Sequence, residues 1–171
     1  MNRLRLLLLI DFLAFSTPAF AQDYRAARWG ASPEEIYQAE TAQLALSRDS
    51  VLTYRIPLSD STLTAGVSYH FDEDGLFRVV EMLEAPGDDE SRHIIQFLVA
   101  EQEMISRYGS PLTPTTWDQV EAFGTGPEAI EAINAGSLQL NSRWEVPGTL
   151  ILLRLMRAEN GPAVFTIYER R

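Results

Sequence analysis

Leu63-Thr64-Ala65-Gly66-Val67-Ser68-Tyr69-His70-Phe71-Asp72-Glu73-Asp74-Gly75-Leu76-Phe77-Arg78-Val79-Val80-Glu81-Met82-Leu83-Glu84 decides the fold. Leu63, Ala65, Val67, Tyr69 and Phe71 alternate with Thr64, Gly66, Ser68 and His70, so the period is two and one face is buried. Asp72-Glu73-Asp74-Gly75 reads as a tight turn, and Leu76 to Glu84 returns as the partner strand. The segment is a β-hairpin of an antiparallel sheet.

Working outward, Val51 to Pro57 is a further short strand. The C-terminus repeats the theme. Leu138, Leu140, Ser142, Trp144 and Val146 alternate with Gln139, Asn141, Arg143 and Glu145. Pro147-Gly148 fits the centre of a type II turn. Thr149 to Arg157 is a very apolar strand, Glu159-Asn160-Gly161-Pro162 is a turn, and Ala163 to Glu169 is the last strand. Thr115 to Asp118 is a short candidate strand.

Helices precede each run of strands. Ser32 is an N-cap, Pro33 takes N1 and Glu35 closes a capping box. The spacing of Ile36, Ala39 or Glu40, and Gln43 or Leu44 predicts a thin-faced helix running to about Leu46. A second helix, about Ser91 to Tyr108, carries Ile94, Phe97 or Leu98, Glu101, Met104 or Ile105, and Tyr108 on one face. Gly109 and Pro111 end it. Thr125-Gly126-Pro127 opens a brief helix ending near Ala135-Gly136. The expected architecture is α+β: an antiparallel sheet with helices on one face, an element order that also fits two helix-plus-three-strand repeats. The other sheet face must be solvated or covered by a partner.

Residues 1–21 read as a secretory signal peptide. Arg3 and Arg5 form the basic n-region. Leu4 and Leu6 to Phe15 form the apolar stretch, which Asp11 interrupts. Pro18 breaks the helix, and Ala19-Phe20-Ala21 fits the small-x-small cleavage rule. Cleavage after Ala21 would deliver a single domain, residues 22–171, to the periplasm or the medium. The apolar stretch is too short and too interrupted for a span of ~20 apolar residues, so an integral membrane protein is not expected.

All 14 basic residues are arginine, and the formal net charge is −10. Losing Arg3, Arg5 and Asp11 makes the balance more negative still. Such a chain repels nucleic acid and anionic lipid. The sequence contains no cysteine, hence no disulfide, no thiol chemistry and no lipidated cysteine.

Trp29-Gly30-Ala31-Ser32-Pro33-Glu34-Glu35-Ile36 resembles the W-G-x-S-x-E-E-V opening of small exported bacterial proteins. Helix followed by antiparallel meander, with Tyr108-Gly109-Ser110-Pro111 after the second helix, is similar to the β-lactamase-inhibitor-protein-like and SmpA/OmlA-type folds. The resemblance implies an envelope or secreted binding module rather than an enzyme. The chain departs from the SmpA/OmlA type in lacking a lipidated cysteine, and from the inhibitor type in lacking disulfides.

Candidate chemistry is sparse. His70, Asp72, Asp74, Gly75 and Glu81 have the offsets of a calcium loop, but His replaces the first Asp and the flanks are strands. His70 and His93, the only two histidines, fall short of a zinc ligand set. No Gly-x-Ser-x-Gly elbow is present. Glu101 and Glu103 fall on different faces of their helix, and Glu128 and Glu131 suit a helix N-terminal half. Gly124-Thr125-Gly126 lacks the lysine of a phosphate loop. No metal, cofactor or catalytic set is expected.

Aromatic residues remain. Tyr54, Tyr69, Phe71, Phe77, Trp117, Trp144, Phe165 and Tyr168 all fall on expected strands. The phase of Trp144 matches Leu140 and Val146, which points to the core. Trp117, Tyr54, Tyr69 and Trp144 are the candidate binding residues, should they lie on the open sheet face. The expected function is an exported, soluble, non-enzymatic module that binds an envelope protein or peptide. The alternative is a periplasmic small-molecule binder with an apolar cleft between the sheet and the Ser91–Tyr108 helix.

Overall fold

A computed structural model describes residues 23–24, 27–57, 64–84, 92–113, 124, 126–158 and 161–171. Its strands are β1 (Asp23–Tyr24), β2 (Ala27–Arg28), β3 (Gln43–Arg48), β4 (Val51–Pro57), β5 (Thr64–Asp72), β6 (Gly75–Glu84), β7 (Leu140–Val146), β8 (Thr149–Ala158) and β9 (Gly161–Arg170). Its helices are α1 (Pro33–Ala39), α2 (Arg92–Tyr108) and α3 (Pro127–Asn134). β1 and β2 form a small hairpin. The other seven strands form one sheet in the order β3-β4-β5-β6-β9-β8-β7, and every pairing in it is antiparallel. The fold is α+β.

Two meanders, β4-β5-β6 and β7-β8-β9, meet through their last strands at the centre of this sheet. That arrangement suits two similar halves, yet the halves differ. The first carries the additional strand β3, and the second carries the additional helix α3.

The helices lie on one face. Register places Leu52, Tyr54, Val67, Tyr69, Val79, Tyr168, Ile151, Leu153, Leu140 and Trp144 on that same face, and all are buried. α2 closes over the β7, β8 and β9 part of this face with Ile94, Phe97, Glu101 and Met104. The three-four spacing of those residues is what turns one helix side toward the sheet. α1 contributes Ile36, and α3 contributes Ala129, Ile130, Ala132 and Ile133.

The first helix is shorter than its spacing predicts. It stops at Ala39, with Glu40 in extended conformation as C-cap. Gln43 to Arg48 is instead the edge strand β3, paired with β4 through a bulge between Leu44 and Leu46. Past Ile36 the apolar stripe is too thin to hold a surface helix, whereas the free edge of β4 offers a ladder of backbone partners. Thr115 to Asp118 lies outside the described residues. No helix among the described residues is long and apolar enough to cross a membrane.

The Trp29–Ile36 stretch has a local structural task. Ser32 accepts from the Glu35 N–H while Glu35 accepts from the Ser32 N–H, completing the capping box. Just before it, Gly30 N–H donates to the Leu76 carbonyl and Leu76 N–H to the Ala31 carbonyl, both at 2.9 Å. Trp29 Nε1 donates to Thr149 Oγ1 at 2.8 Å. The stretch therefore clasps the β5–β6 turn to the β7–β8 corner. Gly75, at φ +90°, leaves room for this contact; a Cβ there would sit 2.3 Å from the Gly30 carbonyl oxygen.

Candidate binding surface

Three of the four candidate aromatics are in the core, which corrects the idea that they form an exposed platform. Tyr54 and Tyr69 are each 1% exposed and Trp144 is 2% exposed. All three point toward the helices, because their alternation phase is that of the buried face. Trp144 Nε1 donates to the Gly109 carbonyl at 2.8 Å, tying β7 to the end of α2. Tyr69 donates to Glu40 at 2.9 Å and meets Tyr54 edge-on at 5.8 Å between ring centroids. Trp117 lies outside the described residues.

Tyr24 extends this aromatic cluster. Its ring is 4.7 Å from that of Tyr168, and its hydroxyl donates to Glu81. Burial, with the Glu81 carboxylate adding to it, holds both phenols above their usual range. They stay neutral and act as packing and hydrogen-bonding groups.

The remaining polar candidates do not converge. Arg170 reaches the Asp74 carbonyl at 3.1 Å and the Asp72 carboxylate at 3.4 Å, so an arginine occupies the side of the hairpin turn. Among the described residues no group of three His, Asp or Glu side chains is placed to hold a metal ion. Glu101 is 1% exposed and accepts from Ser142 Oγ, while its second oxygen has no hydrogen-bond partner among the described residues. Glu103, Glu128 and Glu131 are exposed.

The unoccupied surface is the far side of the sheet. Register sets Val80, Ile167 and Leu152 in one row across β6, β9 and β8. Met82 and Phe165 are neighbours in the adjacent row. Leu150 lies next to Ile167 and Leu152 on the other side. These six side chains are all half-buried. They form an apolar stripe three strands wide, about 10 Å across at ordinary strand spacing. Because α1, α2 and α3 share the opposite face, no described element forms a layer over this one. Met156 on β8, at 44% exposure, continues its apolar character, whereas Leu46 on β3 is separated from it by Thr53 and Ser68.

A signal for this stripe is in the chain. Leu150-Ile151-Leu152-Leu153 is apolar at successive positions, as are Val79-Val80 and Met82-Leu83. A strand apolar in both phases is built to be covered on both faces. Phe165 is the member of the expected strand aromatics that falls in this stripe.

A shallow depression of about 460 Å³ lies on the outer side of α2, lined by Ile95, Leu98, Val99, Gln102 and Glu103. It opens away from the sheet. Between α2 and the sheet the space is filled by Ile94, Phe97, Met104 and their buried strand neighbours.

Comparison of the chain with known protein families, characterised proteins and solved structures yields no match.

Proposed function

We propose that this chain is an exported, soluble, non-enzymatic module of the bacterial cell envelope that binds a protein or peptide through the open face of its sheet. The observation that carries this reading is the stripe of Val80, Met82, Leu150, Leu152, Phe165 and Ile167, apolar and without a covering layer among the described elements. Contiguous apolar surface on an otherwise charged protein marks a place of association. The leader-like residues 1–21 supply the envelope address, and the filled space beneath α2 favours surface docking over an enclosed ligand site.

The test is crosslinking mass spectrometry in native cells, comparing wild type with Leu152→Ser/Ile167→Ser. A partner whose crosslinks surround the stripe, and which the double variant loses at unchanged helix and sheet content, supports docking there. Crosslinks that map to the helix side and survive the variant refute it.

A further inference from the structure

Among the described residues the charges are segregated. The chain carries a net charge of −10, yet the open face is the basic side. Register places Arg48, Arg55, Arg78, Arg143 and Arg154 on it, against Glu84, Glu145 and Glu169. Glu145 and Glu169 are already engaged. Arg78 holds Glu169 at 2.7 Å, and Arg143 pairs with Glu145. The carboxylates of the helices, among them Glu34, Glu35, Glu103, Glu128 and Glu131, belong to the other side.

One cross-strand row shows the pattern most clearly. It runs Arg55, Gly66, Met82, Phe165, Arg154 from β4 to β8. Two apolar side chains lie between two arginines about 19 Å apart at ordinary strand spacing. Arg55 and Arg154 are exposed, and among the described residues neither forms an ion pair.

From this, and resting on the docking role proposed above, we infer that the partner is a protein segment presenting a row of apolar side chains edged by aspartate or glutamate. The apolar row covers Met82, Phe165, Val80, Ile167 and Leu152. The carboxylates meet Arg154 on one margin and Arg55 on the other. Charge complementarity of this kind sets orientation and association rate, and an unmatched arginine at a desolvated margin rejects basic or neutral partners. A second copy is disfavoured as occupant. Face-to-face pairing about a twofold would bring this arginine-rich face against itself. A membrane surface is disfavoured because the apolar side chains are half-buried in the sheet rather than projecting, and the chain as a whole is acidic.

The test is site-specific photocrosslinking of the full chain in its native cells. Benzoylphenylalanine replaces Met156, an exposed residue beside Arg154 on the open face, and replaces Tyr37 on α1 as the off-face control. The Met156 position is expected to give one protein adduct, with the crosslinked peptide carrying apolar residues flanked by Asp or Glu. Arg55→Glu/Arg154→Glu should lower its yield at least tenfold, and Arg55→Lys/Arg154→Lys should largely retain it. If the charge-reversed chain folds poorly, the same adduct in periplasmic extract must weaken between 0.15 and 0.5 M salt, where screening tightens below about 8 Å. An adduct at Met156 that is indifferent to charge reversal and to salt overturns the inference and leaves docking on this face standing. An adduct to lipid or to a second copy also overturns it. Adducts at Tyr37 with none at Met156, or none at either position, overturn both the inference and the docking role.

Discussion

Replacing Gly75 by alanine tests whether the Trp29–Ala31 clasp holds the hairpin as the geometry says. Two costs add. At φ +90° an L-residue sits in the left-handed region, which costs roughly 1–2 kcal/mol. The new Cβ would also lie 2.3 Å from the Gly30 carbonyl oxygen, 2.6 Å from its carbonyl carbon and 2.9 Å from the Ala31 oxygen. All three are backbone atoms, so no side-chain rotation relieves the overlap. The clasp must retreat by about an ångström to reach ordinary contact distance. That movement stretches the two 2.9 Å hydrogen bonds linking Gly30 and Ala31 to Leu76, each contributing about 0.5–1.5 kcal/mol. The expected destabilisation is about 2–5 kcal/mol, a large part of the 5–15 kcal/mol typical of a domain. Gly148→Ala is the internal control. It has φ +73° with nothing within 4 Å of a Cβ, so only the conformational cost applies. Urea unfolding of residues 22–171, followed by tryptophan fluorescence and far-ultraviolet circular dichroism, reads both variants. Equal losses for Gly75→Ala and Gly148→Ala would refute the clasp.

Two further outcomes follow from named contacts. Trp29→Phe removes the indole N–H that Thr149 Oγ1 accepts, and Thr149 is buried; urea titration should show a loss of about 1–2 kcal/mol. His70 is held below its usual pKa by partial burial and, secondarily, by Arg78. The folded state thus resists protonation of this imidazole more than the unfolded chain does. Its contribution is intact above the unfolded pKa near 6.5 and declines as pH falls through that value toward the lower folded one. His70→Gln should flatten the fall in urea midpoint between about pH 7 and 5; an unchanged slope would show that His70 does not set it.

The open face and the clasp are connected through the strands they share. β6 starts at the clasped turn, and its residues Val80 and Met82 line the stripe. β8 starts at Thr149, the acceptor for Trp29, and supplies Leu150 and Leu152. The Trp29–Ala31 clasp therefore fixes two of the three strands that present the apolar surface. A rigid, preorganised sheet lowers the ordering cost of binding.

Much of this protein is determined by sequence alone. Alternation from Ala65 to Phe71 and from Leu140 to Trp144 specifies strands with one buried phase, since slipping by one residue would expose every apolar side chain. Ser32-Pro33 starts α1, Gly109 ends α2 and Pro147-Gly148 turns β7 into β8, because caps and turns are local chemistry. The acidic balance is likewise readable without coordinates. Tertiary structure decided the rest. Gln43 to Arg48 became a strand because β4 had an edge to pair, which no local spacing encodes. Tyr54 and Tyr69 went to the core because Glu40, at the end of α1, and Tyr24 pack against them, contacts that no local pattern encodes. The stripe and its arginine margins exist only once β6, β9 and β8 are neighbours. Residues from Arg55 to Ile167 meet there across more than a hundred positions of sequence, and a contact of that range is set by how the sheet is assembled and not by its local pattern.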